Sequence, residues 1–210
     1  MTVSIQPTPA AVRRQKQREE ARRAILGATE ALLIEAGGDD FSIRTLADRC
    51  GYTPPTIYHY FSDKAGLLDA LLEERFAQLL ASVEDIPHCD DPVENLRRMV
   101  EVFVDFGRKN PAFYRLIVVG PRAGGDRTPP SVEAAREVLS APWVELHRAG
   151  RLHGGDPQTA AQSMWAVMHG LTALQIARPD FDWRSDLAEV AVDSMLRGLI
   201  RSDAEERNAS

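Results

Sequence analysis

The sequence predicts an all-α protein. Three observations lead there: apolar residues recur every three or four positions over most of the chain, proline and glycine interrupt that pattern repeatedly, and no segment alternates as a strand would. The 210 residues allow one or two domains with a core of their own, needing no disulfide or metal staple. At 44% hydrophobic, 27% charged and 7% aromatic, the composition excludes a mainly disordered, collagenous or mucin-like chain.

Each element has its own signal. Residues 1–13, with Pro7 and Pro9 and no periodicity, predict a flexible arm. From Arg14 to Ala36 a helix is expected, because Ala21, Ile25, Ala28 and Leu32 fall on one face, and Gly37 and Gly38 end it. Ser42 caps a short helix through Arg49 with Ile43, Leu46 and Ala47 apolar, and Gly51 stops it. Thr53 caps the next, with Pro54 at the first position, where a missing N–H is harmless; it ends near Tyr60. Ser62 or Asp63 opens a longer helix to Val83, carrying Leu67, Leu68, Leu71, Leu72, Phe76, Leu79 and Leu80. Beyond Pro87 and Pro92, helices are predicted near 92–109, 111–119, 131–149, 157–177 and 184–202, with a glycine- and proline-rich loop over Gly120–Pro130. The expected organisation is an arm (1–13), a three-helix domain (14–62), a connecting helix (63–84), a second helical domain (85–204) and a tail (205–210).

The charge is unevenly spread. The net charge is -6, yet residues 1–64 hold nine Lys/Arg against eight Asp/Glu, and residues 1–23 hold six against two. A basic front on an acidic body suits the front to phosphates. Two cysteines, Cys50 and Cys89, make no disulfide framework and favour a reducing compartment. No stretch approaches the ~18 apolar residues of a membrane span, and no signal-peptide core follows the early arginines. A cytoplasmic protein is expected.

The two short helices joined by a glycine turn, with a helix before them, read as a helix-turn-helix. Phe41, Ile43, Leu46, Ala47, Ile57 and Phe61 can close over Ile25, Ala28 and Leu32. That leaves Thr53, Pro55, Thr56, Tyr58, His59 and Tyr60 facing outward, where hydroxyls and an imidazole can meet phosphates and apolar carbon can meet thymine methyls. Lys64 stands at the start of the following helix, whose free N–H groups favour an anion. The competing reading is an ordinary corner of a helical bundle.

The run from Ser42 to Lys64 is more specific. Leu46-Ala47, Gly51, the cap Thr53, Thr56-Ile57-Tyr58, Tyr60-Phe61 and Lys64 with Leu67-Leu68 closely resemble the DNA-binding signature of the TetR/AcrR family of transcriptional regulators. The resemblance extends over residues 14–83, and the length and helix count beyond also fit. It implies that Arg44, Thr45, Pro54, Pro55, Thr56 and His59 face bases or nearby backbone, while Thr53, Tyr58, Tyr60 and Lys64 hold phosphates. The chain departs from the family at Pro54, where many members place a small or polar residue. Two prolines in succession remove two donors, so base reading there should be more apolar.

The second domain offers a shorter likeness. Trp165-Ala-Val-Met-His169-Gly170 resembles a Trp…His-Gly pattern in the C-terminal domain of one TetR subgroup. Trp165, Met168, His169 and Thr172 share one helical face, and Met164, Val167, Leu171 and Leu174 another. A helix apolar on both sides suits contact with a ligand chamber and a partner subunit together. On that reading Phe103, Phe106, Tyr114, Trp143, His147, Trp165, Met168, His169 and Thr172 are ligand-binding candidates, with Phe113 nearby. Plain core is the alternative for each. Few charges stand among these segments beyond Asp105, Arg115, Glu145 and His147, so the expected effector is small and largely apolar. The last two helices would pair with their copies, burying Leu171, Leu174, Leu187, Ala191, Met195 and Leu199.

Other chemistry finds little support. Gly120–Gly125 has phosphate-loop glycine spacing, but Asp126 and Arg127 stand where Lys and Ser/Thr are required. Asp85, His88, Cys89, Asp90 and Asp91 crowd one loop without a second Cys/His pair at zinc spacing. Neither a cofactor nor a metal is expected, and no hydrolase or metalloprotease motif suggests an enzyme. The expectation is a ligand-responsive, homodimeric repressor of a palindromic duplex DNA operator, with no membrane partner. A ligand-binding protein whose front docks another protein, and an enzyme acting through His169 and Asp105, are the alternatives.

Overall fold

The structure, a computed structural model, describes residues 8–36, 40–118 and 130–201. Among these, nine helices follow in order: α1 (Pro9–Ala36), α2 (Ile43–Cys50), α3 (Pro54–Phe61), α4 (Lys64–Glu84), α5 (Pro92–Lys109), α6 (Pro111–Val118), α7 (Pro130–Arg148), α8 (Pro157–Ala177) and α9 (Leu187–Leu199). The only pairing of strand type among the described residues is the bridge between Leu152 and Ile200. It is completed by hydrogen bonds from His153 N to the Leu199 carbonyl and from Arg201 N to the Arg151 carbonyl, both 2.8 Å. The predicted Gly37–Gly38 stop, all of the 120–130 loop except Pro130, and the 205–210 tail lie outside the described residues.

Proline sets much of this order. Pro9, Pro54, Pro92, Pro111, Pro130 and Pro157 each stand first in a helix, where fixed φ helps and the absent N–H has no intrahelical partner to lose. Asp91 and Asp156 cap α5 and α8, accepting from Val93 N in one case and from Gln158 N and Thr159 N in the other. The arm prediction requires correction at this point. Pro9 begins a helix rather than preventing one: Thr8 accepts from Ala11 N through its hydroxyl and from Val12 N through its carbonyl. Helix α9 also starts later than position 184, since Arg184 and Asp186 pair outside it at 2.6 Å.

The described residues form two compact units. The first contains α1, α2, α3, α4 as far as Leu72, and α6 from Arg115. Its core is Ile25, Leu46, Ile57, Leu67 and Leu71, none more than 1% exposed. Ala28, expected in this core, is half-buried, and Leu26, Thr29 and Leu33 are buried in addition. Thr29 returns its hydroxyl to the Ile25 carbonyl at 2.8 Å, so burial leaves no donor unpaired.

The second unit contains the rest of α4, α5 to Tyr114 of α6, and α7 to α9. Helix α5 packs on α7, α8 and α9, and α8 on α7 and α9. Ala160, Met164, Met168 and Thr172 form the buried stripe of α8. This corrects the predicted grouping: Met164 lies with Met168 and Thr172, while Trp165 and Leu174 are exposed. Steps of four residues turn only ~40° each, which keeps that stripe together. Arg97 ties α5 to α9, donating to Asp193 at 2.8 Å while also pairing with Glu94.

At Gly107, α5 comes close to Thr172 of α8 and Tyr114 of α6. A Cβ built there would lie 2.6 Å from Thr172 Cγ2 and 3.1 Å from Tyr114 Cδ2. Gly107→Ala should therefore destabilise the protein by about 1–3 kcal/mol, the usual range for overpacking. Urea denaturation followed by circular dichroism measures this, and an unchanged midpoint would contradict so close an approach.

Candidate functional site

The first unit presents two eight-residue helices stabilised in the same way. Ser42 accepts from Thr45 N at 3.0 Å and its hydroxyl lies 2.8 Å from that of Thr45. Thr53 accepts from Thr56 N at 3.4 Å and its hydroxyl lies 2.9 Å from that of Thr56. Between them Gly51 takes φ +74°, a left-handed turn suited to glycine, and donates to the Ala47 carbonyl. Each motif satisfies a helix-end N–H that would otherwise need water.

Around this frame the predicted residues divide by exposure. Arg44, Thr45, Thr53, Pro55, Tyr58 and His59 are exposed, whereas Pro54, Thr56, Tyr60 and Lys64 are half-buried. Tyr60 packs edgewise with His59 and tilted against Phe61. The Lys64 ammonium sits 4.5 Å from the Phe41 ring centre, so the ring holds it at the start of α4. Phe41 was assigned only to the core, and its position just before the Ser42 cap was the available clue. Arg49, at the end of α2, grips Glu35 of α1 through two hydrogen bonds of 2.8 and 2.6 Å. That pair holds the Glu35 carboxyl below its usual range.

The junction of α3 and α4 is tight. Ser62 adopts φ +64° and ψ -53°, and Asp63 N donates to the Phe61 carbonyl at 2.7 Å. This is the classic γ-turn, an uncommon and strained conformation. Asp63 then accepts from Gly66 N at 2.7 Å. A Cβ at Gly66 would stand 2.2 Å from the Phe61 carbonyl oxygen, so glycine is required for the turn to close.

The second unit gathers some ligand candidates and separates others. Tyr114 donates its hydroxyl proton to the His169 carbonyl at 2.7 Å, and the hydroxyl oxygen lies 2.8 Å from His169 Nδ1. With the tyrosine proton so used, Nδ1 carries the histidine proton and donates back, leaving Nε2 as the acceptor. Phe103 and Trp165 contact the imidazole edgewise, with ring centres 5.1 and 4.6 Å away. Burial pushes the Tyr114 hydroxyl up to about 12 and the His169 imidazole down to about 4. Trp165, in contact with the imidazole, is itself 54% exposed.

Phe103, Tyr114, Trp143, Met168 and Thr172 are buried, and Phe106 is half-buried. His147 is exposed near Asp156, whose carboxyl it helps to hold below its usual range, after the larger effect of Thr159. Phe113, the neighbour of these candidates, stacks edgewise on both Phe76 and Phe106 at 5.0 and 5.6 Å. In the loop that carries Asp85, His88, Cys89, Asp90 and Asp91, Asn95 clasps the Cys89 backbone from both sides, and His88 lies 3.9 Å from Asp90.

Comparison with known proteins gives the group a context. The family model described as bacterial regulatory proteins of the tetR family matches residues 25–71. A second, described as a tetracyclin repressor-like C-terminal domain, matches residues 96–199. Together they cover more than two-thirds of the chain. The transcriptional activator FasR of Mycolicibacterium smegmatis is 24% identical over 185 residues, covering 88% of this chain and 81% of its own. The crystal structure of NalD, the secondary repressor of the MexAB-OprM efflux pump in Pseudomonas aeruginosa, superposes with a TM-score of 0.70 at 26% identity, covering 89% of this chain and 99% of that one. The regulator FadR of Bacillus subtilis, solved with stearoyl-CoA, shares the fold at a TM-score of 0.69 and 17% identity, covering 84% of this chain and 98% of that one.

The half-buried imidazole has a measurable signature. His169 takes up its proton with difficulty in the folded state, near pH 4 against an ordinary 6.5. The unfolded chain therefore binds more protons across that window. Its contribution to stability is complete above pH 6.5 and is lost as the pH falls toward 4. Between those limits His169→Gln should show a shallower pH dependence of stability than the parent, read from denaturation midpoints. Parallel curves for the two proteins would refute the assignment.

Proposed function

The chain belongs to the TetR family of bacterial transcriptional regulators and is a DNA-binding regulator, and from that premise we propose that it is a homodimeric repressor released from a palindromic operator by a small, largely apolar effector. The observation that carries the reading is the exposed face of α2 and α3, where two capped helices present Arg44, Thr45, Thr53, Pro55, Tyr58 and His59 together. Pro54, Pro55, Thr56 and His59 would read base edges in the major groove with Arg44 and Thr45 beside them. Thr53, Tyr58, Tyr60 and Lys64 would bind phosphates. Repression is the simplest use of such a surface, because occupancy of an operator excludes other proteins from it.

Exposed apolar residues support pairing through the last two helices. Leu174 of α8 and Val190 of α9 are 53% and 48% exposed. Leu171, Leu187, Ala191, Met195 and Leu199 are half-buried and have area left to lose. Two copies joined there would offer two recognition helices to half-sites ~34 Å apart. The double variant Leu174→Glu, Val190→Glu should sediment as a monomer with its helix content intact. A variant that still sediments as a dimer would place the interface elsewhere.

The effector site is proposed around His169, with Phe103, Phe106, Tyr114, Trp143, Trp165, Met168 and Thr172; His147 stands at its edge. Helix α4 is the proposed lever. Beyond Leu72 it is held by Phe76 against Phe113 and by Glu73, which accepts from Ser131 Oγ at 2.7 Å at the start of α7. An effector that prefers one setting of α4 shifts DNA affinity by that preference, and DNA shifts effector affinity equally.

Selection of binding sites from random duplex DNA tests the reading. A palindromic consensus is expected, and Lys64→Ala should weaken binding to all sequences and lower the log–log salt slope by about one per protomer. Failure of the folded protein to enrich any sequence would favour a front unit that docks a protein. A reporter placed behind the consensus then gives the sign: expression should rise when the regulator is deleted, and a fall would mean activation.

A further inference from the structure

We propose that the site around His169 selects an uncharged effector with an O–H or N–H donor on an apolar body, the donor resting on His169 Nε2, and rejects carboxylates and phosphates. The inference rests on the reading of this cluster as the effector site and deepens it by naming the class of ligand.

The Tyr114–His169 pair leaves one ring atom open. Tyr114 is buried and has a single hydroxyl proton. That proton goes to the His169 carbonyl at 2.7 Å, while the hydroxyl oxygen lies 2.8 Å from Nδ1. Two lone pairs facing each other at that distance would repel, so the proton between them belongs to Nδ1. A neutral imidazole carries only one ring proton, which makes Nε2 an acceptor. Nε2 has no hydrogen-bond partner among the described residues. Because α6 supplies the tyrosine and α8 the histidine, packing of the two helices fixes the tautomer.

The site is electrically neutral. Burial alone lowers the His169 imidazole to about 4, with no neighbouring charge contributing, so the ring is uncharged at neutral pH. The Tyr114 hydroxyl, pushed up to about 12 chiefly by burial, keeps its proton as well. A carboxylate brought against Nε2 would give up its water and meet a lone pair with no proton to bind it. An ether offers the same mismatch without the charge. An alcohol, a phenol or an amide N–H loses less on leaving water and regains a hydrogen bond. Rings supply the apolar surround: Phe103 and Trp165 meet the imidazole edgewise, and Tyr114 lies tilted with its centre 5.5 Å away. Trp165 remains more than half exposed, so area is left for an apolar body to cover.

The test titrates the full chain calorimetrically with two matched sets of probes: decanol, its methyl ether and decanoate; and para-phenylphenol, its methyl ether and biphenyl carboxylate. In each set that binds, the alcohol or phenol should bind about tenfold tighter than its ether, and the carboxylate most weakly. His169→Leu should bind alcohol and ether alike. Tyr114→Phe, which frees Nδ1 and lets the proton move to Nε2, should narrow the preference with the fold intact. Ring-nitrogen NMR shifts, assigned by comparison with His169→Leu, should show Nδ1 protonated and Nε2 bare. Equal binding of alcohol and ether by the parent, tightest binding of a carboxylate, or a bare Nδ1 would each overturn the proposal while the effector-site reading stands. An undiminished preference in either variant would overturn it too. Binding of none of the six probes by the folded parent would overturn both.

Discussion

A helix of eight residues has almost no interior. Four of its N–H groups and four of its carbonyls lack intrahelical partners, and nucleation alone would keep it from forming. The amino-terminal unit depends on overcoming this twice, in α2 and again in α3. Ser42 and Thr53 cap the starts, Gly51 closes the end of α2, and Leu46, Ile57 and Phe61 bury the inner faces. Once the short helices hold, the outer side chains come to stand on a fixed scaffold. A surface meant to meet DNA needs that order, because each contact made by a wandering side chain would be weakened by the entropy of fixing it.

The second unit solves a different problem. Apart from α6, its helices are long enough to form on burial alone, so the question becomes how polar groups survive inside it. Thr172 returns its hydroxyl to the Met168 carbonyl at 2.9 Å, as Thr29 does in the other unit. Tyr114 and His169 exchange hydrogen bonds and are walled by rings. A satisfied polar pair within an aromatic surround is rigid in position yet chemically open at one nitrogen. Helix α4 belongs to both units, and each holds its own end of it by a separate device.

Much of this was legible because proline, glycine and the capping residues act locally. Pro54, Pro92, Pro111 and Pro157 mark helix starts by chemistry that does not depend on the rest of the chain. Proline also misled at Pro9, where the same residue was read as a breaker because the helix it opens has no apolar face for three turns. The face of α8 was misjudged for a related reason: sequence spacing shows which residues are neighbours but not which side meets the core. The Tyr114–His169 pair joins residues 55 positions apart and leaves no trace in either segment. The γ-turn at Ser62 was hidden as well, since serine carries no signal for a positive φ.

That turn has a consequence for anyone rebuilding the protein. The Phe61 carbonyl occupies the space that a side chain at Gly66 would need, so the end of α3 and the start of α4 share one volume. A recognition helix transplanted from another regulator would bring its own final carbonyl and its own angle of exit. Exchanging α3 alone leaves the host's Gly66 facing a carbonyl it was not shaped for. The smallest segment that can be traded between relatives therefore runs from the Ser42 cap through Gly66, and a chimera cut at Phe61 divides a joint that works only whole.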